Sequence, residues 1–172
     1  YGAVHKGLDV LLDFFSKNEN YNFNIIGNVE VEKDFVKIYK NELYNLKNIK
    51  YYGFLSPMSL KYKNVIDRSF CFLAPSCSES ISTAVVTCLN TGLYPIYSKD
   101  NGVELNEDGY QLKNCEYRDI EIAVECVINK KESEIKKSIL NNRQYVQNRF
   151  TREHFSKTMR ENLKEILLNE NR

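Results

Sequence analysis

Apolar positions along this chain alternate between helical spacing and short continuous runs, which predicts helices and buried strands in turn. Over 6–16, Leu8, Val10, Leu11, Leu12, Phe14 and Phe15 recur at helical spacing behind Gly7, a permissive entry residue. Phe23, Ile25 and Ile26 then form a brief apolar run stopped by Gly27-Asn28, the punctuation that ends a buried parallel strand. A charged amphipathic helix is predicted over 31–46, with Phe35, Ile38, Tyr39, Leu43 and Leu46 on one side. A second strand over 49–52 ends at Gly53, and Pro57 is placed to open a third helix carrying Leu60, Tyr62, Val65 and Ile66. Strand 70–74, helix 82–90 closed by Thr91-Gly92, and strand 93–97 follow. A polar, turn-rich loop is expected over 98–110, then helices over 120–129, 132–146 and 152–168.

Short strands alternating with longer helices imply parallel βαβ units, so the expected fold is α/β, a Rossmann-like doubly wound parallel sheet. Such sheets bind ligands beyond the carboxyl ends of their strands. The loops at Gly27-Asn28, at Gly53-Phe54-Leu55, over 75–81 and over 98–109 therefore share one rim. No internal repeat, low-complexity tract or linker divides the chain, and its 172 residues, 42% hydrophobic, are enough for one domain over 1–172 but not two.

Charge narrows the range of partners. Twenty-four Lys and Arg against twenty-three Asp and Glu leave a net charge of +1, so no global field recruits nucleic acid or an anionic membrane. Any anion must be held by local geometry. The five cysteines, Cys71, Cys77, Cys88, Cys115 and Cys126, form neither a CxxC pair nor a cluster with His5 or His154, which reads as a reduced, cytoplasmic protein without zinc. They read as small core hydrophobes, with Cys77 the one expected to be exposed near a site. No signal-type segment and no apolar run near the roughly 20 residues of a membrane helix is present. The opening at Tyr1, directly before a helix, reads as a fragment of a longer polypeptide.

The informative stretch runs from Ala74 to Gly92. A buried strand delivers Ser76, Ser78, Glu79 and Ser80 to the mouth of a helix whose first amides lack intrahelical partners and face the rim. With the helix dipole, that end suits a phosphate or diphosphate, and Ser80, Ser82 and Thr83 add hydroxyls beside Ile81. Glu79 would repel phosphate but can accept charge-assisted hydrogen bonds from sugar hydroxyls. A phosphorylated sugar fits both features. Taken alone, Glu79 also reads as a solvated loop carboxylate or a helix cap, Lys6 as a surface lysine, and Thr87 as a hydroxyl bonded to its own preceding turn.

This stretch resembles the C-terminal, donor-binding domain of glycosyltransferase family 4, the group 1 glycosyltransferases of GT-B fold. Pro75-Ser76, Glu79 and Gly92 match that family's motif without a gap. His5-Lys6-Gly7-Leu8-Asp9 resembles its Lys-Gly segment, Ile25-Ile26-Gly27 its strand-then-glycine turn, and Asn48-Ile49 through Gly53-Phe54-Leu55-Ser56 its element near the nucleotide base. Asn101-Gly102-Val103-Glu104-Leu105 resembles the loop after the next strand, so the resemblance extends from His5 to about Phe155. It implies a retaining, hexosyl-type glycosyltransferase acting on a UDP- or GDP-sugar, with Lys6 on the donor diphosphate, Glu79 on the sugar, and Gly27, Asn28, Gly53, Phe54 and Leu55 around base and ribose.

The same resemblance implies that a glycan or lipid-linked acceptor is gripped by a separate N-terminal domain, so that this domain alone is inactive, and that the parent can attach peripherally at the inner membrane. No metal is implied, because there is no Asp-x-Asp. Thr87 stands where the family has a second Glu that holds the ribose, and is read as a subfamily trait. Ser80 and Ser82 replace customary glycines, and an arginine expected upstream of Lys6 is missing from Tyr1 to His5.

Two rivals follow. One is a non-catalytic scaffold that kept the fold and lost donor chemistry, with Thr87 as its best support. The other, a receiver or flavodoxin-like module, lacks the acidic cluster it needs at the ends of Ile25-Ile26-Gly27 and Phe72-Leu73-Ala74. In the last helix, Phe155, Met159, Leu163, Ile166 and Leu167 suit packing on the domain's own sheet, on a partner domain or on a membrane; its mixed charges favour packing.

Overall fold

The computed structural model describes residues 2–105 and 108–169. Its first helix, α1 (Leu8–Lys17), buries Leu11, Leu12, Phe14 and Phe15, and Gly7 enters it in a left-handed conformation at φ 70°. Phe15 stacks on Phe23 with ring centroids 4.4 Å apart, which seats α1 on strand β1 (Phe23–Ile25). β1 pairs in parallel with β2 (Ile49–Tyr51). Strands β3 (Cys71–Ala74), β4 (Tyr94–Ser98) and β5 (Tyr110–Leu112) form a second parallel ladder in the order β3-β4-β5.

The remaining helices are α2 (Lys33–Ile38), α3 (Lys40–Tyr44), α4 (Leu60–Ile66), α5 (Thr83–Thr91), α6 (Tyr117–Ile128), α7 (Glu132–Arg149) and α8 (Arg152–Asn169). One apolar cluster draws on both ladders, joining Ile25 and Ile49 to Tyr94, Ile96 and Leu112 under α1 and α6. A second lies beneath α5 and α7, where Val85 and Leu89 meet Phe72, Tyr97 and Val146. Helices therefore cover two faces of a parallel framework, as the doubly wound expectation requires. Leu12, Leu89, Ile96 and Ile120 are wholly buried, and each such side chain contributes about 1.5–3 kcal/mol.

The structure departs from the periodicity in four places. The helix expected over 31–46 is a 3-10 turn (Val29–Val31) followed by α2 and α3, broken at Tyr39. Phe35 and Leu43 are both buried, and a straight helix would point them about 80° apart. The break brings both to the core, and Phe35 packs on Tyr39 at 4.5 Å between ring centroids. Pro57 does not open α4; Ser59 does, its hydroxyl accepting from Tyr62 N at 3.2 Å, a better cap for an orphan amide.

The loop expected over 98–110 contains a 3-10 turn (Lys99–Asn101) and leads into β5, a strand of three residues with one buried side chain, Leu112. Finally, α8 does not pack on the domain's own sheet. Phe155, Met159, Leu163, Ile166 and Leu167 are all exposed along it.

Candidate functional site

Every strand is parallel to its neighbour, so the loops that follow β1, β2, β3, β4 and β5 emerge at carboxyl ends. The loop after β3 carries Pro75 to Ser82 and is fastened on both sides. On one side Cys77 N donates to His5 O at 2.9 Å; on the other, Glu79 N donates to Asp100 O at 2.7 Å and Ser82 N to Asn101 O at 3.0 Å. Ser98 Oγ adds a bond to Ser76 O at 2.6 Å. All four bonds engage backbone groups of the loop, so its path is fixed mainly through its own main chain.

Two glycines permit this close fit. A Cβ on Gly7 would lie 2.6 Å from Pro75 O, and one on Gly102 only 1.9 Å from Ser80 O. Gly102 also has φ 73°, a conformation that L side chains rarely adopt. Asn101 beside it is fully buried, and its side-chain oxygen accepts from Val103 N at 2.9 Å. The roles of Gly102, Asn101 and Asp100 were not read from the sequence. The Asn-Gly pair was the available signal, since it marks a turn with positive φ.

Within this frame Lys6 and Glu79, 73 residues apart in sequence, form an ion pair. The Lys6 side chain is 47% exposed and that of Glu79 18%, so the pair opens to solvent on the lysine side. The His5 ring donates from Nε2 to Ser78 O. Val86 N bonds back to Ser82 O and closes the first turn of α5, which leaves the amides of Thr83, Ala84 and Val85 at the helix mouth without intrahelical acceptors. A cation and an acid are thus paired on the loop that leads into an amide-rich helix end. That arrangement can hold an anion and the hydroxyls of an attached group.

Other residues singled out in the sequence divide between surface and interior. Ser80, Ile81 and Thr83 are exposed, whereas Ser82 is buried beneath the loop. Thr87 Oγ1 donates to Thr83 O at 2.8 Å, so its proton is engaged by its own helix. Gly27 N donates to Gly53 O at 3.0 Å, joining the loops after β1 and β2, and Tyr51 Oη donates to Gly27 O at 3.0 Å. Asn28 and Phe54 are exposed, Phe54 at 68%, while Leu55 turns inward against Tyr62 and Val65.

Cys115, after β5, holds a left-handed backbone at φ 58°. The Asp119 carboxylate fixes that turn by accepting from the amides of Lys113, Asn114 and Cys115 at 2.7, 3.0 and 3.0 Å. Burial pushes the Cys115 thiol up to about 11, with the charges of Asp119, Cys77 and Asp100 adding to it. Among the described residues, no group of three His, Cys, Asp or Glu is arranged to hold a metal ion, and no helix is long and apolar enough to cross a membrane.

No protein-family model and no curated protein sequence matches the chain. Solved structures do. A glycosyltransferase from Rickettsia africae superposes with a TM-score of 0.72 at 20% identity, over 95% of this chain and 45% of that one. Anabaena Alr3699/HepE, solved in complex with UDP-glucose, superposes at 0.73 and 18% identity over 94% of this chain and 46% of its own. The C-terminal domain of the group 1 glycosyltransferase LpcC from Francisella tularensis superposes at 0.60 and 14% identity, over 87% of this chain and 80% of that domain. The fold is therefore the α/β fold of a GT-B glycosyltransferase domain. The chain spans less than half the length of the first two of these proteins.

Proposed function

We propose that this chain is the donor-binding domain of a glycosyltransferase and holds a nucleotide diphosphate sugar at the Lys6–Glu79 rim. The observation that carries the reading is that ion pair, whose acid lies in the loop that leads directly into α5. The fold it shares with HepE, a protein solved with UDP and with UDP-glucose, supports the same reading. On donor binding Lys6 turns from Glu79 to the diphosphate, where the α5 amides join it in stabilising the negative charge that grows as the diphosphate departs. Glu79, released, accepts hydrogen bonds from the sugar hydroxyls. Gly27, Asn28, Gly53 and Phe54 border base and ribose.

Transfer with retention to a glycan or lipid-linked acceptor, the need for a separate acceptor-binding domain, the independence from metal and the cytoplasmic location belong to the same proposal. A second reading, a non-catalytic domain of this fold, is favoured by Thr87, whose hydroxyl proton is held by Thr83 O.

Calorimetric titration with UDP, GDP and their sugar conjugates separates the two readings. Saturable binding that prefers one nucleotide, weakened about tenfold or more in both Lys6→Ala and Glu79→Ala, is the expected outcome. A folded chain that binds no nucleotide would refute the donor reading.

A further inference from the structure

The cation of the proposed site sits on a turn that has little packing of its own: Val4, His5 and Lys6 are all exposed. The turn is nevertheless ordered by a chain of hydrogen bonds. Lys6 N donates to Gly2 O at 2.9 Å, Gly7 N to Val4 O at 2.8 Å and Leu8 N to Ala3 O at 2.9 Å. The same two residues that receive Lys6 and Leu8, Gly2 and Ala3, turn their own amides to one carboxylate. Glu32 Oε1 accepts from Gly2 N at 2.6 Å and from Ala3 N at 3.0 Å, and Oε2 lies 3.1 Å from Ala3 N.

We propose that Glu32 is a positioning residue that holds the Lys6 turn in register with the rest of the rim. A charged acceptor makes each of its bonds stronger than a neutral one would, and linked bonds reinforce one another. Ala3 is buried in the main core, so the point that Glu32 grips is itself fixed.

The other end of Glu32 explains why this residue rather than a nearer one does the holding. Its own amide donates to Val29 O at 3.0 Å, closing the 3-10 turn that directly follows Gly27-Asn28, and its carbonyl accepts from Val36 N at 3.0 Å at the start of α2. Gly27 in turn is bonded to Gly53 O. One side chain thus ties the phosphate-side lysine to the two loops on the base and ribose side. The link crosses 29 and 30 residues of sequence. Its value for ligand binding rests on the donor reading above; its value as an anchor of the turn does not.

The test therefore has two arms, both on the whole chain. In the first, Kd for UDP and GDP is measured for wild type, Glu32→Ala, Glu32→Gln, Lys6→Ala and the Glu32→Ala/Lys6→Ala double variant. Glu32→Ala should weaken the preferred nucleotide about tenfold. Glu32→Gln should remain within about threefold of wild type, because one carbonyl oxygen in the Oε1 position still receives both amides. In the Lys6→Ala background, Glu32→Ala should add nothing, since it acts through Lys6. A residue of merely structural value would give additive losses, and that result, or a Gln variant as weak as the Ala variant, would overturn the proposal.

In the second arm, amide hydrogen exchange over residues 2–8 should speed up about tenfold in Glu32→Ala while β4 and α5 stay protected. Unchanged exchange over 2–8 would also overturn it. If wild type binds no nucleotide, the donor reading falls and the exchange arm alone decides whether Glu32 anchors the turn.

Discussion

Replacing Gly102 with alanine tests how the acidic loop is held. The added Cβ would lie 1.9 Å from Ser80 O, 2.5 Å from Ser80 C and 2.9 Å from Glu79 O, all backbone atoms of the loop that presents Glu79. No rotamer change can relieve a contact with main chain, so the loop or the Lys99–Asn101 turn must give way by about 1 Å to reach even a tight contact. The movement opposes the bonds Glu79 N to Asp100 O and Ser82 N to Asn101 O. Each is worth about 1 kcal/mol, and the left-handed backbone at φ 73° adds about 1 kcal/mol for a residue with a Cβ.

The expected loss is about 2–4 kcal/mol, which lowers Tm by about 6–12 °C in a domain of this size. Gly53→Ala is the matched control, because Gly53 has φ 68° but nothing within 4 Å of its would-be Cβ. It should lose only the backbone share, about 2–4 °C. On the donor reading, displacing Glu79 by about 1 Å should also weaken donor-sugar binding about tenfold or more, the worth of a hydrogen bond to a charged group. Thermal unfolding followed by circular dichroism reads the first effect and calorimetry the second. Equal Tm losses in Gly102→Ala and Gly53→Ala would refute the close fit described here.

Two further outcomes follow from burial. In brief alkylation of the native chain, the exposed Cys77 and Cys126 should be modified first. Cys71 and Cys88, whose thiols burial pushes up to about 12 and about 11, should be spared until the chain unfolds; mass mapping that finds Cys71 or Cys88 labelled alongside Cys77 would contradict the packing. Burial also raises the Cys71 thiol from 9.0 and the Tyr62 and Tyr94 phenols from 10.0 to about 12. In each the fold favours the neutral form, so the stability involved is complete below about pH 9 and is lost as pH rises towards 12. Urea midpoints should hold up to about pH 9 and decline above it; a flat profile through that window would count against these groups being buried.

Periodicity is a local property, and it was enough to reveal α1, α4 to α8 and four of the five strands, because each displays its own apolar face within a few residues. The loops at the carboxyl ends within each ladder were equally legible, since parallel neighbours bring those ends to one side. So was the passage from Pro75 to Thr83, which carries an acid and small polar residues from a strand end into a helix start.

What the sequence left open are contacts between distant residues, which depend on how whole elements pack. Strand β5 lies in a polar, turn-rich stretch without an apolar run to mark it, and forms by pairing with the edge of β4. Leu55 and Ser82 belong to rim loops yet face inward, and α8 keeps outside an apolar stripe that its spacing suggested would be covered. The meeting of Lys6 with Glu79, the contact of Gly102 with the Ser80 carbonyl and the reach of Glu32 to Gly2 all join segments far apart in the chain. Residue type supplied each group with its charge or its freedom of backbone, and the packing of α1, β3 and β4 decided what that group would touch.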